Sequence, residues 1–179
     1  ISTMSDETEN TSAFENAELL NSLSGEGEVS TSYTMVPKGT YIGTIDPTAK
    51  PDCMELRGPF GKKNDSYSLD LWWKLPDDVA IKYGTNYVKQ QMFINIVNNP
   101  LTGERRLANK NDHVNANIEL GGVVAAVGLD FNGFKLKDLF FKSALLEVGH
   151  VEDNRDKDKP VAERRKYAQV VKVRRIQQI

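Results

Sequence analysis

The sequence predicts a mainly β domain, a small five-stranded Greek-key barrel with one short helix between its third and fourth strands, behind a disordered acidic N-terminal arm. Three observations predict it. From Pro37 almost to the C-terminus apolar residues recur in short runs with a period near two, turn residues separate the runs, and one stretch, Asn115–Leu129, changes to helical spacing. The 179 residues are 39% hydrophobic and 27% charged, the proportions of one soluble globular domain with some unstructured chain attached.

Residues 1–35 form the arm and residues 36–179 the domain. The arm is rich in Ser, Thr, Glu and Asn, so it cannot bury enough apolar surface to offset the entropy of ordering itself. Ile1, Ser2 and Thr3 precede Met4 and are read as a remnant ahead of the natural start. Within the arm Phe14, Leu19, Leu20 and Leu23 are spaced for one short amphipathic helix, Ala13 to Leu23, marginal in water without a partner.

The first strand is expected at Thr40–Ile45, opened by the Pro37-Lys38-Gly39 turn and closed by Asp46-Pro47. The second, Tyr67–Leu75, alternates Tyr67, Leu69, Leu71, Trp73 and Leu75 with Ser68, Asp70, Trp72 and Lys74, and Pro76 with its paired aspartates ends it. The third, Lys89–Asn98, sets Met92, Ile94 and Ile96 against Gln91, Phe93 and Asn95. The helix over Asn115–Leu129 is capped by Asn115 or Asn117, carries Ile118, Val123, Ala126 and Val127 on one side, and ends at Gly128. Gly121 and Gly122 weaken it. The fourth strand covers Phe140–Val151, and the fifth, Tyr167–Ile176, follows the charged loop Glu152–Glu163. Three strands, a helix and two strands is the order of an OB-fold, a barrel that binds oligonucleotides on its sheet face; a β-sandwich with an extra helix is the rival architecture.

Composition excludes several functions. Cys53 is the single cysteine, so there is no disulfide framework, and Cys53, His113 and His150 are too scattered for a zinc site. No run reaches 18 apolar residues and acids occupy the N-terminus where a signal peptide needs a basic patch, so no membrane span is expected and a reducing cytoplasmic setting fits. Nothing matches G-x-x-x-x-G-K-[ST], G-x-S-x-G or H-E-x-x-H. The acidic pairs Asp77-Asp78, Asp112-His113 and Glu152-Asp153 read as turn residues, and His150 as structural. Neither enzyme activity, a cofactor nor a metal is expected.

The net charge of -2 conceals an asymmetry. Residues 1–35 hold seven acids and no base; removing those seven from the 25 acids leaves 18 against 23 bases, so residues 36–179 carry +5. If Leu69, Leu71 and Trp73 point inward, period two sends Trp72 outward; if Met92, Ile94 and Ile96 point inward, Phe93 goes outward. Exposed strand aromatics leave apolar area in water, yet on the second and third strands of an OB-fold they form a platform on which bases stack. Lys62 and Lys63 in the loop between the first two strands, Lys74 and Lys89 beside the platform, Arg105 and Arg106 before the helix, and the terminal run containing Arg174 are candidate phosphate contacts. Tyr41 and Tyr87 are further candidate rings.

These features resemble the OB-fold single-stranded DNA-binding proteins encoded by bacteriophages. The resemblance rests on Pro37-Lys38-Gly39-Thr40-Tyr41, on Tyr67-Ser68-Leu69-Asp70-Leu71-Trp72-Trp73, on the helix end Val127-Gly128-Leu129, and on Tyr167-Ala168-Gln169-Val170-Val171-Lys172-Val173. It implies a non-enzymatic protein of the host cytoplasm that coats single-stranded DNA, without strong sequence preference, during replication or recombination. It also implies an acidic segment that recruits replication or recombination proteins. In such proteins that segment is commonly C-terminal, whereas here it is N-terminal and the C-terminus is basic. Two other readings stay open: a phage structural or adaptor module whose outward aromatics form a subunit interface, and a carbohydrate-binding sandwich using Trp72 and Trp73.

Overall fold

A computed structural model of the chain describes residues 13, 15–28 and 35–177. The chain divides into two units, Ile1–Tyr33 and Thr34–Ile179. In the first unit, residues 15–22 form a helix, α1, with Leu19, Leu20 and Leu23 exposed. Phe14 and most of the expected disordered arm lie outside the described residues.

The second unit is mainly β. Its strands are β1 (Gly39–Thr44), β2 (Met54–Phe60), β3 (Ser66–Lys74), β4 (Tyr87–Asn98), β5 (Arg105–Leu107), β6 (Ser143–Glu152) and β7 (Lys166–Arg174). Two helices interrupt them, α2 (Asp77–Tyr83) and α3 (Ile118–Ala126). All belong to one seven-stranded sheet, which corrects the expectation of five. The five expected strands correspond to β1, β3, β4, β6 and β7, each within about three residues of its predicted ends, and the expected helix corresponds to α3.

The additions are β2, β5 and α2. Only Met54 of β2 is even partly buried, and the strand contains Gly58-Pro59, so it shows neither apolar alternation nor an unbroken donor row. It pairs with β3 over residues 54–57, breaks register, and resumes at Phe60, as an edge strand carrying proline must. Strand β5 is three residues folded back on β4. The aspartates after Pro76 open α2 rather than a loop: Asp77 and Asp78 lie in its first turn, where negative charge meets the positive helix end, and Gly84 (φ 80°) closes it.

Strand β1 pairs with β6 along its length and meets β3 at Thr44–Lys74. Nine residue pairs join β3 to β4. Strand β4 meets β7 in parallel at Lys89–Gln169, and β7 runs antiparallel to β6. The pairings β1–β3–β4–β7–β6–β1 thus close a cycle, with β2 and β5 outside it. Leu69, Leu71, Trp73, Ile94 and Leu146 fill the interior at 0% exposure, and Trp73 Nε1 donates to Gln90 Oε1 at 2.9 Å. Gly43 belongs to this layer because a Cβ there would strike Leu146 and Trp73. His150 Nε2 lies 2.8 Å from the carbonyl oxygen of Val36, tying the segment before β1 to β6, the structural role its strand position suggested.

Asn117, one of the two expected caps, occupies the N-cap position of α3, and its backbone carbonyl accepts from Gly121 N–H at 2.8 Å, but its side chain makes no cap hydrogen bond. It sits at φ 54°; its side-chain Oδ1 accepts from Asn95 N–H at 2.7 Å, and its Nδ2 donates to Asn95 O and Ala108 O at 2.9 Å each. The side chain extends the β4 ladder and fixes the approach to α3.

Candidate nucleic-acid interface

The register defines one continuous face. Successive cross-strand rows over β2, β3 and β4 hold Phe60, Ser66 and Asn95; then Arg57, Ser68 and Phe93; then Glu55, Asp70 and Gln91. Beyond them come Trp72 opposite Lys89 and Lys74 opposite Tyr87. Alternate residues of paired strands share a side, so these groups stand together, opposite the core-facing Leu69, Leu71, Trp73 and Met92.

At one end lies a cluster of aromatic rings and ammonium groups. Lys50 Nζ stands 5.2 Å from the Trp72 ring centre and 5.7 Å from that of Tyr87. Lys89 Nζ stands 5.8 Å from Trp72 and 5.9 Å from Tyr167 on β7. Trp72 is half-buried, packed against the core beneath these lysines, and its backbone N–H donates to Cys53 O at 2.8 Å. Lys50 also bonds Asp52 at 3.2 Å, which holds that carboxyl below its usual range. Lys74 is 3.9 Å from Asp77.

At the other end Phe93 is 67% exposed, with Phe60 nearby at 47%. Lys62 and Lys63 are exposed on the turn joining β2 to β3. From Trp72 to Phe93 is four residues along the strand and one strand across, about 14 Å by ordinary sheet spacings. Between them Asp70 accepts from Arg57 Nη2 at 2.9 Å, and Gln91 Nε2 donates to Ser68 Oγ at 3.2 Å. Asp70 is only 4% exposed, and its Oδ1 makes no hydrogen bond among the described residues.

Trp72, Phe93, Tyr87 and Lys74 therefore share this face, and Lys89 belongs with them, while Lys62 and Lys63 lie on the turn that follows Phe60. Tyr41 does not: it shares the parity of Gly43 and Ile45, packs on the core, and donates its hydroxyl to Pro37 O at 2.9 Å. Burial raises its hydroxyl pKa, with Tyr83 adding to the effect and Lys82 opposing it. Arg105 lies on β5 with Nη1 3.5 Å from Tyr67 Oη. Arg106 is engaged in a bidentate pair with Asp112, Nη1 to Oδ2 at 2.6 Å and Nη2 to Oδ1 at 2.8 Å, which pulls that carboxyl down to about 2. Arg174 sits 3.7 Å from Glu147 across β6 and β7.

Much of the basic C-terminal run is likewise spent internally. Arg164 pairs with Glu152 at 3.0 Å, and Arg165 with the buried Asp156 at 2.8 Å. Arg155 holds Asp153 and draws its carboxyl to about 2. Arg175 donates to Ala125 O at 3.3 Å. Glu152 at the end of β6 and Asp153 and Asp156 in the charged loop after it are the partners of these arginines.

Sequence reasoning missed Lys50 as a neighbour of Trp72 and Tyr167 as a neighbour of Lys89. Lys89, expected beside the platform, stands opposite Trp72 in the antiparallel β3–β4 pair, but nothing local marks Lys50. No protein-family model and no curated protein matches the chain.

Proposed function

We propose that the cycle of strands is an OB-fold barrel and that the protein binds single-stranded DNA along the β3–β4 face, coating and protecting it without strong sequence preference. The carrying observation is Phe93, a phenyl ring 67% exposed on the same face as Trp72. A ring left in water at the centre of a paired strand is an apolar liability unless something flat covers it, and every base offers a flat face. Helix α3 falls between β4 and β6, the place an OB-fold gives its helix, and β2 and β5 are then additions to the barrel.

Bases stack on Phe93 at one end and on Trp72 and Tyr87 at the other, while Lys62, Lys63, Lys74, Lys50 and Lys89 neutralise phosphates. A base reaching Trp72 displaces an ammonium from the ring face, and the released lysine turns to the backbone that arrives with the base. The two rings are about 14 Å apart, so one extended strand can reach both. The arm, with seven acids and no base over residues 1–35, has the composition of a segment that recruits replication or recombination proteins.

A fluorescence titration with an oligo-dT single strand tests this reading. Tryptophan emission falls on binding, affinity weakens steeply with added salt, and duplex DNA of equal length competes poorly. Unchanged emission, no gel shift and an oligomer that persists in high salt would instead assign the exposed rings to a subunit interface.

A further inference from the structure

We propose that Asp70, with Gln91 beside it, reads the exocyclic amine of a base lying between the two stacking ends, so that this position of the groove prefers cytosine to thymine. The inference rests on the single-stranded DNA reading above and adds a specificity-determining position to it. Its starting point is a carboxylate oxygen without a donor. Asp70 is 4% exposed on the strand that carries Trp72, Oδ2 is held by Arg57 at 2.9 Å, and Oδ1 has no hydrogen-bond partner among the described residues. A buried acceptor left unpaired is expensive, and such a group in a folded protein calls for an explanation.

Its surroundings supply one. The row Glu55–Asp70–Gln91 lies midway between the row of Phe93 and the row of Trp72, about 7 Å from each along the strands. This row offers acceptors. Two of its members are carboxylates, and the Gln91 amide nitrogen already donates to Ser68 Oγ at 3.2 Å, which leaves its carbonyl oxygen for another donor. Phosphates are repelled from such a row and keep to the lysines at either end, so the part of a nucleotide that descends here is the base edge. Arg57, whose side chain is 50% exposed, stands against the carboxylate and is long enough to rotate aside, while the exposed Gln91 stays beside it through its bond to Ser68.

The cytosine N4 amine carries two N–H groups, one for Asp70 Oδ1 and one for Gln91 Oε1. Thymine presents O4 at the same place, an acceptor facing a carboxylate. Stacking stays indifferent to base identity at the two ends while the middle discriminates.

The test compares oligo-dC, oligo-dT and an oligomer of N4,N4-dimethyldeoxycytidine, equal in length and at one salt concentration, on the full chain and on Asp70→Asn. The wild-type protein is expected to bind dC about tenfold more tightly than dT. The dimethylated strand, which has lost both donors without any change in the protein, should bind like dT. Asp70→Asn turns a donor toward the base, so the dC preference should vanish or invert while circular dichroism reports the fold. If that variant does not fold, the dimethylated strand alone decides. Equal, salt-sensitive binding of dC and dT by the wild-type protein overturns this inference and leaves the single-strand reading standing. Absence of binding to every strand overturns both.

Discussion

Replacing Phe93 with Ala separates a ring that serves a ligand from one that serves the fold. The side chain is 67% exposed, so about a third of its surface is withdrawn from water. Full burial of a phenylalanine side chain is worth about 1.5–3 kcal/mol, which makes the packing loss about 0.5–1 kcal/mol. The lower strand preference of alanine adds a few tenths. For a domain of this size that amounts to about 3–5 °C in melting temperature. A lost stack costs about 1–3 kcal/mol of binding, or roughly five- to 150-fold in Kd. The assay is a fluorescence titration with oligo-dT at fixed salt, run beside a thermal melt of the same preparations. A melting temperature lowered by more than about 10 °C with unaltered affinity would refute the reasoning, because Phe93 would then be holding the protein together.

Four other outcomes follow from the same geometry. Arg106→Ala should leave oligonucleotide affinity nearly unchanged while loosening residues 108–113, read by hydrogen exchange, because its guanidinium is committed to Asp112. Acid should destabilise the domain: arginine partners lower Asp112 and Asp153 from 3.8 to about 2, so the stability they contribute is complete above the ordinary carboxylate range and is lost as pH falls towards 2, visible in an acid titration followed by circular dichroism. Trp73→Ala should cost about 3–5 kcal/mol in urea unfolding, since it empties a fully buried site and strands the Gln90 amide. Asn117→Ala should cost about 2–3 kcal/mol by removing three hydrogen bonds, two to Asn95 of β4 and one to Ala108, and leaving alanine at φ 54°.

The elements legible in the sequence are those whose burial is one-sided and whose period is clean. Strand β3 displays Leu69, Leu71 and Trp73 at every second position, and the register indeed turns Trp72 away from them. The edge strand β2 was illegible because it borrows its hydrogen bonds from β3 and buries almost nothing, so no apolar pattern is required of it. Helix α2 was hidden because Pro76 and paired aspartates are equally good as a loop and as a first helical turn, and only the closing geometry at Gly84 separates the two. In the candidate site, period two places single residues on a face, but which charges are already matched is a three-dimensional matter. Arg106 and Arg165 look like free cations until their bonds to Asp112 and Asp156 are seen. Asp70 looks like a solvated residue of an outer face, yet it is only 4% exposed, with the Arg57 guanidinium bonded to it and Gln91 across from it on β4.

The strand cycle is strong in its antiparallel ladders and thin at two joints, Thr44–Lys74 and the lone parallel contact Lys89–Gln169. Those joints bring together residues far apart along the chain, whereas β3–β4 and β6–β7 are local hairpins that zip without closing a long loop. We expect β3–β4 and β6–β7 to form first, with the long-range β1–β6 ladder and the narrow weld at Lys89 closing the cycle afterwards. The amide hydrogens at that weld should be the first in the sheet to exchange with heavy water, well ahead of those in the middle of β3.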